Sequence, residues 1–434
     1  FKLKTLRSPQ DKVITALLES KDVLLLAPTG GGKSLAYQLP AVYLHRQRRA
    51  LTLVVSPLLA LMQNQLDYLK LLNIPATTTS SSQSAQHNAQ VWHELETCHD
   101  GCPYAMLYIT PESMATEKVQ RILTKLSSKQ LLGMLAVDEA HCISSWGHDF
   151  RVKYRELGKF KEQFPKVPIL AATATATEKV KADILTQLRI PKATLFCRSF
   201  NRRNIRYQVR YLKSNDQFGG FNDALEDSRE KVILQCVTEH PNQCGIVYAR
   251  TRASVDSLTA LFHRYKISAL AYHAGLKNEQ RLDVQNKWQS DECKIVVATT
   301  AFGMGVDKQD VRFVIHADIP ASMEQFYQES GRAGRDGQFS VNVLCYSKAD
   351  KDKLQFTIAQ TKYKDEKQRT KAMNNLDQMF LYADSLKCRR AMILSHFGEE
   401  LQLPEPSCKE SAGCDFCLNP NGCKLEKLEA TKPK

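Results

Sequence analysis

The sequence predicts an α/β protein of two tandem domains with parallel sheets, followed by a small helical module. Short apolar runs of strand length alternate with amphipathic stretches of helix length, and this alternation restarts near residue 200. The chain has 434 residues, which exceeds the roughly 250–300 residues at which a single hydrophobic core stops growing. Hydrophobic residues make up 43% and charged residues 24%, fractions that exclude wholesale disorder and collagen-like repeats.

The first domain is predicted to span residues 1–200. Its amphipathic stretches, at residues 34–46 and 58–72, are predicted to be helices, and the polar stretch at residues 77–84 is predicted to be a loop. Alternating strands and helices favour a parallel sheet covered on both faces. The predicted strands lie at residues 22–27, 51–56, 106–110, 134–138 and 169–173.

The second domain is predicted to span residues 201–350. A helical module is predicted over residues 351–424, and a frayed basic tail over residues 425–434. The strands predicted for the second domain lie at residues 244–248, 268–272, 294–298, 313–316 and 342–346.

A glycine-rich segment between the first predicted strand and helix is typical of a phosphate-binding loop. It reads APTGGGKS over residues 27–34, with Ala27 in place of the usual first glycine. The glycines let backbone N–H groups approach phosphate oxygens, Lys33 can reach the β- and γ-phosphates, and Ser34 can bind Mg2+. The predicted nucleotide-binding residues here are Thr29, Gly30, Gly31, Gly32, Lys33 and Ser34.

An acidic pair ends the fourth predicted strand. Residues 134–141 read MLAVDEAH, which places Asp138 to hold Mg2+ and Glu139 to polarise the attacking water in phosphoryl transfer. Acidic pairs at strand ends are common, so the prediction depends on the phosphate-binding loop that precedes it.

Two arginines in the second domain could supply positive charge to the transition state of phosphoryl transfer. The segment at residues 328–337 reads QESGRAGRDG, and on a helix Arg332 and Arg335 would share one face. Both are therefore candidate arginine fingers. The alternative from these residues alone is a pair of solvated surface arginines.

The cysteines indicate a metal site rather than a disulfide framework. There are 13 of them, an odd number spread along most of the chain, which favours a reducing compartment. Cys388, Cys408, Cys414 and Cys417 fall close together and end in a C-x2-C pair, so we predict that they bind Zn2+; four unligated thiols are the alternative. A second group, His93, Cys98, His99 and Cys102, is interpreted as a surface loop with incidental thiols.

The charge balance points to a polyanionic partner. Lys plus Arg total 60 against 46 Asp plus Glu, a formal net charge of +14. Nucleic acid is the favoured partner and an anionic membrane surface the weaker alternative. No apolar run approaches the roughly 20 residues needed to span a bilayer.

Taken in order, the motifs resemble those of the RecQ family of superfamily-two DNA helicases. Besides the phosphate-binding loop, the matching segments are LRSPQ at 6–10, VVSPLLALMQNQ at 54–65, YITPE at 108–112, DEAHCISSWGHDFR at 138–151, TATAT at 173–177, GIVYARTR at 245–252, YHAGL at 272–276, VATTAFGMGVDK at 297–308, QESGRAGRDG at 328–337 and CRR at 388–390. The resemblance covers nearly the whole chain and implies two RecA-like domains followed by a zinc module.

The resemblance also implies roles for individual residues. Arg7 and Gln10 would read adenine, and His141 and Thr173 would link the ATP site to the DNA site. Asp307, Gln328, Arg332 and Arg335 would act from the second domain, with Arg335 as the leading candidate for the finger. An aromatic-rich loop would couple hydrolysis to DNA, although packing is the alternative for its aromatic rings. The residues implied in DNA binding or coupling are His141, Trp146, His148, Phe150, Arg151, Thr173 and Thr299.

The implied function is that of an ATP-dependent 3′–5′ DNA helicase or translocase in DNA repair, recombination or replication. ATP would bind between the two domains, with Mg2+ and Zn2+ as metal cofactors. The implied partners are single-stranded DNA and tailed or forked duplexes, bound by a monomer in the nucleus of a eukaryote or the cytoplasm of a bacterium. The closest match is expected to be the shorter family branch that lacks a winged-helix domain. The alternatives are an RNA helicase of the DEAH kind and a nucleic-acid-binding scaffold with a vestigial ATPase.

Overall fold

The computed structural model describes residues 1, 5–144, 151–212, 229–303, 308–361, 363, 366–400 and 408–431. The chain divides into two compact units, Phe1–Phe200 and Asn201–Lys434. Within the described ranges no helix is both long enough and apolar enough to cross a membrane.

The first unit is built around a parallel sheet whose described strands follow the order β3-β4-β2-β5-β6-β1-β7. Its strands are β1 (Val23–Leu26), β2 (Leu51–Val55), β3 (Ala76–Thr79), β4 (Met106–Ile109), β5 (Leu132–Val137), β6 (Ile169–Thr173) and β7 (Thr194–Cys197). Its α-helices are α1 (Gln10–Leu18), α2 (Lys33–Arg48), α3 (Leu59–Leu71), α4 (Ala85–Thr97), α5 (Pro111–Met114), α6 (Glu117–Ser128), α7 (Gly158–Gln163) and α8 (Glu178–Gln187). Two 3-10 helices span Ala140–Ile143 and Val152–Leu157.

The first sheet is buried on both faces. Successive side chains of a strand point to opposite faces, and β1 shows the result. Leu24 and Leu26 belong to one hydrophobic cluster, whereas Val23 and Leu25 belong to another. The continuous apolar sequence of this strand is what burial on both faces requires.

The strand register brings three predicted site segments to one edge of the first sheet. Leu26 of β1 pairs with Thr173 of β6, and Val137 of β5 pairs with Ala171 of β6. Because the strands are parallel and adjacent, their carboxyl ends meet at this edge. The phosphate-binding loop follows β1 there, Asp138 follows β5, and Thr173 ends β6.

The loop predicted at residues 77–84 begins instead with a strand. β3 covers Ala76–Thr79 and pairs in parallel with β4 at the edge of the sheet. The strand was not predicted because its sequence is polar. Threonine is nevertheless β-branched and suits an extended backbone. All three of its threonines are buried, and Thr78 Oγ1 donates to Tyr108 O at 2.9 Å.

The second unit holds another parallel sheet, with the described strands in the order β10-β11-β9-β12-β13-β8. Its strands are β8 (Ile205–Tyr211), β9 (Gly245–Tyr248), β10 (Ala269–Tyr272), β11 (Ile295–Ala298), β12 (Phe313–His316) and β13 (Ser340–Tyr346). Its helices are α9 (Arg229–Thr238), α10 (Arg252–Arg264), α11 (Asn278–Gln289), α12 (Met323–Ser330), α13 (Ala349–Gln360), α14 (Glu366–Asp384), α15 (Arg389–His396), α16 (Asp415–Leu418) and α17 (Pro420–Thr431).

The two faces of the second sheet are covered differently. A hydrophobic cluster that includes Phe313, Ile315 and Val343 covers one face. Aromatic rings of α12 and α14 cover the other face at the β8 end of the sheet. Phe326 lies 6.3 Å from Tyr207 and 5.0 Å from Tyr382, measured between ring centroids.

The cysteine-containing segment closes the β8 edge of this sheet. The backbones of Tyr207 and Cys414 form a β-bridge. Val209 N donates to a carboxylate oxygen of Asp415 at 2.8 Å, and Tyr211 N donates to Glu426 at 3.2 Å. The N–H groups that an edge strand leaves exposed are therefore paired.

The basic tail predicted over residues 425–434 is helical as far as Thr431, because α17 runs through it. Glu426 accepts the hydrogen bond from Tyr211 described above, and Lys427 Nζ lies 3.0 Å from Asp384 Oδ2. These contacts with β8 and α14 hold the helix against the unit.

Candidate nucleotide and zinc sites

The phosphate-binding loop is shaped by glycines with left-handed backbones. Gly30 has φ 74° and Gly32 has φ 82°, and Gly32 caps the N-terminus of α2. A Cβ on Gly31 would lie 2.7 Å from Pro28 O. The loop thus points its N–H groups and the positive end of the α2 dipole at one place, as an anion requires.

The two predicted adenine-binding residues contact this loop directly. The Gln10 side chain is buried; it accepts from Arg7 N at 2.8 Å and donates to Gly32 O at 3.0 Å. Arg7 Nη1 donates to Gly30 O at 3.3 Å. The segment that would read the base is therefore hydrogen-bonded to the segment that would hold the phosphates.

Lys33 is the first residue of α2, and its Nζ donates to Ala27 O at 3.2 Å. That carbonyl belongs to the loop itself, so the ammonium group lies against the loop. Its charge also acts on Asp138.

Asp138 and Glu139 begin the turn that follows β5. Burial and the neighbouring charge of Glu139 raise the pKa of Asp138 to about 7, against the opposing effect of Lys33. Asp138 Oδ1 accepts from Glu139 N at 2.9 Å, and Tyr154 OH donates to Asp138 O at 3.1 Å. Glu139 has φ 47°, a left-handed conformation that is uncommon for a non-glycine residue and worth attention at a candidate active site.

His141 connects the acidic pair to the end of β6. Its Nδ1 lies 2.8 Å from Thr173 Oγ1 and 3.3 Å from Glu139 Oε2. His141 and Thr173 are both buried, and Thr175 N also donates to Thr173 Oγ1, at 3.3 Å. A continuous series of contacts therefore joins the segment after β6 to Glu139.

Of the residues assigned to the aromatic-rich loop, only the last one, Arg151, lies within the described residues. Trp146, His148 and Phe150 lie outside the described residues, so their role stays a prediction. Arg151 N donates to Cys142 O at 2.9 Å, and its Nη1 donates to Pro57 O at 2.8 Å. These bonds anchor the end of the loop beside the helical turn that contains His141.

The candidate arginine fingers do not lie on a helix. α12 ends at Ser330, and Arg332 and Arg335 follow in a series of turns. The turn requires a left-handed backbone at Gly334, which has φ 57°, and this conformation explains the glycine. Arg332 is buried, and its Nη2 would lie 3.0 Å from a Cβ placed on Gly303.

Sequence reasoning missed the residues that hold this turn. Arg202 donates to three of its carbonyls, Gly331 O at 2.9 Å, Ala333 O at 2.7 Å and Gly334 O at 3.0 Å. Asn204 Nδ2 donates to Gly334 O at 2.8 Å. Nothing in the sequence indicates a pairing across about 130 residues.

The remaining nucleotide or coupling candidates of the second unit lie on different elements. Gln328 lies on α12 and is half-buried. Thr299 follows β11, and its Oγ1 accepts from Ala301 N at 3.4 Å. Asp307 lies outside the described residues.

The four predicted zinc ligands converge. The Sγ atoms of Cys388, Cys408, Cys414 and Cys417 all lie within 4.8 Å of one another. A tetrahedral Zn2+ with Zn–S bonds of about 2.3 Å needs sulfurs about 3.8 Å apart, so the arrangement fits. Hydrogen bonds with Cys408 and Cys414 lower the pKa of Cys388, and hydrogen bonds with Cys388 and Cys414 raise the pKa of Cys408. A divalent cation would allow all four sulfurs to ionise.

The second cysteine and histidine group does not form such a cluster. Over the described ranges, the set just named is the one group of three or more ligand side chains close enough to share a metal ion. Lys129 Nζ lies 3.3 Å from His99 Nδ1, and Cys98 donates to Leu95 O.

Three family models match consecutive parts of the chain, and two of them describe helicase domains. DEAD/DEAH box helicase matches residues 7–183, helicase conserved C-terminal domain matches residues 228–337, and RecQ zinc-binding matches residues 348–418. The chain belongs to the RecQ family.

The names of similar curated proteins are consistent with membership of this family. The Saccharomyces cerevisiae ATP-dependent helicase SGS1 is 40% identical over 100% of this chain and 29% of its own length. The Xenopus laevis RecQ-like DNA helicase BLM is 40% identical over 96% and 30%. The Haemophilus influenzae ATP-dependent DNA helicase RecQ is 38% identical over 97% and 62%. The chain thus spans less than two thirds of the length of each.

Solved structures share the fold. The Mycobacterium smegmatis helicase Lhr bound to ssDNA and AMP-PNP matches with a TM-score of 0.61 and 20% identity, over 93% of this chain and 53% of that chain. The DUF1998 helicase MrfA bound to DNA matches with 0.64 and 17%, over 92% and 57%. Both likenesses concern the two-sheet, RecA-like fold.

Proposed function

We propose that this chain is the motor of an ATP-dependent DNA helicase that moves 3′ to 5′ along single-stranded DNA. The observation that carries the proposal is the meeting of Lys33, Asp138, Glu139, His141 and Thr173 at one edge of the first sheet. Membership of the RecQ family supports DNA as the substrate. Tailed and forked duplexes are the substrates that such a motor would open, in repair, recombination or replication.

ATP hydrolysis would use the residues of this edge in distinct roles. The glycine loop and Lys33 bind the phosphates, and Arg7 and Gln10 contact adenine. Mg2+, held by Ser34 and Asp138, would neutralise charge on the β- and γ-phosphates. Glu139 orients the attacking water.

Charge develops on the γ-phosphoryl oxygens in the transition state, and a guanidinium can stabilise it. Arg332 and Arg335 are the proposed donors, and Gln328 belongs to the same segment. Asp307 is assigned here to nucleotide binding on the family's pattern.

Coupling to DNA would run through the hydrogen bond between His141 and Thr173. Bases of a single strand can stack on aromatic side chains for about 1–3 kcal/mol each, and Trp146 and Phe150 are the proposed platforms. His148, Arg151 and Thr299 complete the proposed DNA-responsive set. Occupancy of this set would change the position of Glu139 relative to the water.

An unwinding assay on 3′-tailed and 5′-tailed duplexes tests the proposal, with Lys33→Ala as the matched control. We expect ATP-dependent unwinding of the 3′-tailed duplex at several times the rate of the 5′-tailed one. Lys33→Ala should bind tailed DNA as the wild type does, because the lysine contacts phosphates of ATP. It should lose ATP turnover by about 10³-fold or more.

Three results would contradict the proposal. Faster unwinding from the 5′ tail would reverse the polarity. Stronger stimulation of ATPase by single-stranded RNA than by DNA of equal length would favour the RNA helicase. Turnover near zero with DNA present would favour the scaffold.

A further inference from the structure

Arg390, in the first turn of α15, is a buried cation held by a distant part of the chain. Its guanidinium, 1% exposed, donates to Asn201 Oδ1 at 2.7 Å, Arg202 O at 2.7 Å and Ile205 O at 2.9 Å. It also lies 5.6 Å from the centroid of the Tyr207 ring. The planar fork of an arginine fixes the positions of the acceptors that it binds.

The adjacent Arg389 is equally buried but has different partners. It pairs with Asp415 at 3.0 Å and donates to Tyr382 O and Ser385 O, both at 2.7 Å. It also donates to Tyr211 OH of β8 at 3.0 Å. Its partners therefore lie at the end of α14, beside the predicted zinc ligands and at the end of β8, and not in residues 201–205. Among the described residues, no carboxylate forms an ion pair with Arg390, whose charge is met by neutral acceptors of residues 201–205. A buried charge placed in this way is poorly explained by stability alone.

Residues 201–205 also contact the turn after α12 that contains Arg332 and Arg335, which is called the arginine-bearing turn below. The carbonyl of Arg202 accepts from Arg390, and the side chain of Arg202 donates to Gly331 O, Ala333 O and Gly334 O. Two hydrogen-bonded steps therefore join the zinc module to the backbone on both sides of Arg332.

A second set of contacts fixes the helix that enters this turn. His396 Nε2 lies 2.9 Å from Glu324 Oε1 at the start of α12. The rings of Phe397 and Tyr327 lie 5.0 Å apart. Both ends of the segment from α12 to the turn are thus held by residues of the zinc module or by residues that it binds.

We propose that Arg390 is a positioning residue for ATP hydrolysis, acting through Arg202 on the turn that carries Arg332 and Arg335. The inference rests on the proposed function, because it assumes that these arginines stabilise the transition state. It assigns the zinc module a part in catalysis that is separate from metal retention and from DNA contact. A displacement of about 1 Å at a charged group can cost about 10²-fold in rate.

Arg390→Gln tests this role in the full chain. We expect kcat of the DNA-stimulated ATPase to fall about 10- to 100-fold, with KM for ATP changed less than about threefold, and with one zinc per chain retained. Affinity for ADP with aluminium fluoride, which mimics the transition state, should fall at least tenfold. Affinity for ADP alone should stay constant, since the finger acts on the γ-phosphoryl group.

Arg389→Gln is the matched control, since it removes an equally buried guanidinium from the next position of the same helix. Zinc-loaded Arg389→Gln should melt at a lower temperature but keep kcat within about threefold of wild type, because Arg389 does not contact residues 201–205. Arg202→Gln should reproduce the kcat defect, although this substitution changes no residue of the zinc module. The double variant of Arg202 and Arg390 should be no worse than either single variant, as expected for two residues in one chain of contacts.

A wild-type kcat in zinc-loaded Arg390→Gln would overturn the inference, as would fully additive losses in the double variant. If Arg390→Gln does not retain zinc, Arg390→Lys replaces it, because one ammonium cannot bind three acceptors as the fork does; wild-type kcat there would likewise overturn the inference. Failure of the proposed function gives a different result. In that case wild type lacks DNA-stimulated turnover, or Arg332→Ala and Arg335→Ala leave kcat intact.

Discussion

Two glycines in the turn after α12 have similar backbones and different surroundings. Gly334 has φ 57° and Gly337 has φ 85°, so either would be strained by a side chain. A Cβ at Gly334 would collide with Asn204 Nδ2 and lie 2.7 Å from Ser340 Oγ, whereas a Cβ at Gly337 would have nothing within 4 Å. An alanine at either position would strain the backbone, but only an alanine at Gly334 would also displace the arginine-bearing turn. Comparing the two variants therefore distinguishes the two effects.

Gly334→Ala should lower kcat of the DNA-stimulated ATPase by about tenfold or more. The added methyl group would push the turn away from Asn204 and thereby move Arg332 and Arg335. Gly337→Ala should lose about 1–2 kcal/mol of stability from the left-handed backbone alone, while keeping kcat within about threefold. Steady-state ATPase assays with thermal melts decide the matter, and equal kcat in the two variants would contradict the argument.

At the scale of residues, the sequence predicted the parts of the site that lie within short motifs. Lys33, Asp138 and Glu139 were found because a glycine loop and a strand-terminal acidic pair each occupy a few consecutive residues. Family resemblance predicted that His141 and Thr173 link the ATP site to the DNA site, but it did not predict the hydrogen bond between them. Arg202 was not found, because its three acceptors depend on tertiary structure.

At the scale of elements, β8 shows how the cysteine segment becomes part of the second unit. Its odd-numbered residues point their backbone groups away from β13. Ile205 O accepts from Arg390, Tyr207 bridges to Cys414, and Val209 N and Tyr211 N donate to carboxylates. The segment behaves as a replacement for the missing neighbouring strand.

Cys414→Ser should therefore release zinc and lower the melting temperature by roughly 5–10 °C, since folding of such modules is coupled to metal binding. Cys414 is fully buried at the β8 bridge. Cys423→Ser is the control, because Cys423 is also buried but lies outside the four-sulfur cluster. Metal analysis and calorimetry provide the measurements. Full zinc occupancy in Cys414→Ser would exclude this cysteine as a ligand.

The elements that sequence reasoning missed are mostly edge strands and the last helix. β8 alternates apolar and polar residues, a period-two signal that was available. β3 lacked that signal because its buried side chains are threonines. The sequence of α17 resembled that of a charged tail. Its position against the unit is shown only by tertiary contacts such as that of Glu426 with β8.

At the scale of the whole molecule, the net charge of +14 predicts strong salt dependence of DNA binding. If four to six basic side chains meet phosphates, log Kd against log salt concentration for single-stranded DNA should have a slope of magnitude about 3–4. Fluorescence anisotropy over a potassium chloride series measures it. Lys33→Ala should show the same slope, because Lys33 contacts nucleotide phosphates. A slope near zero would mean that the surplus charge does not serve DNA.

The pairing along β8 also bears on how molecules behave towards one another. An uncovered edge strand is a template onto which another chain can add. Seven residues of β8 would become such a template if the cysteine segment detached. Zinc would then protect the protein from self-association. Molecules that had lost their metal would aggregate, in addition to losing catalysis.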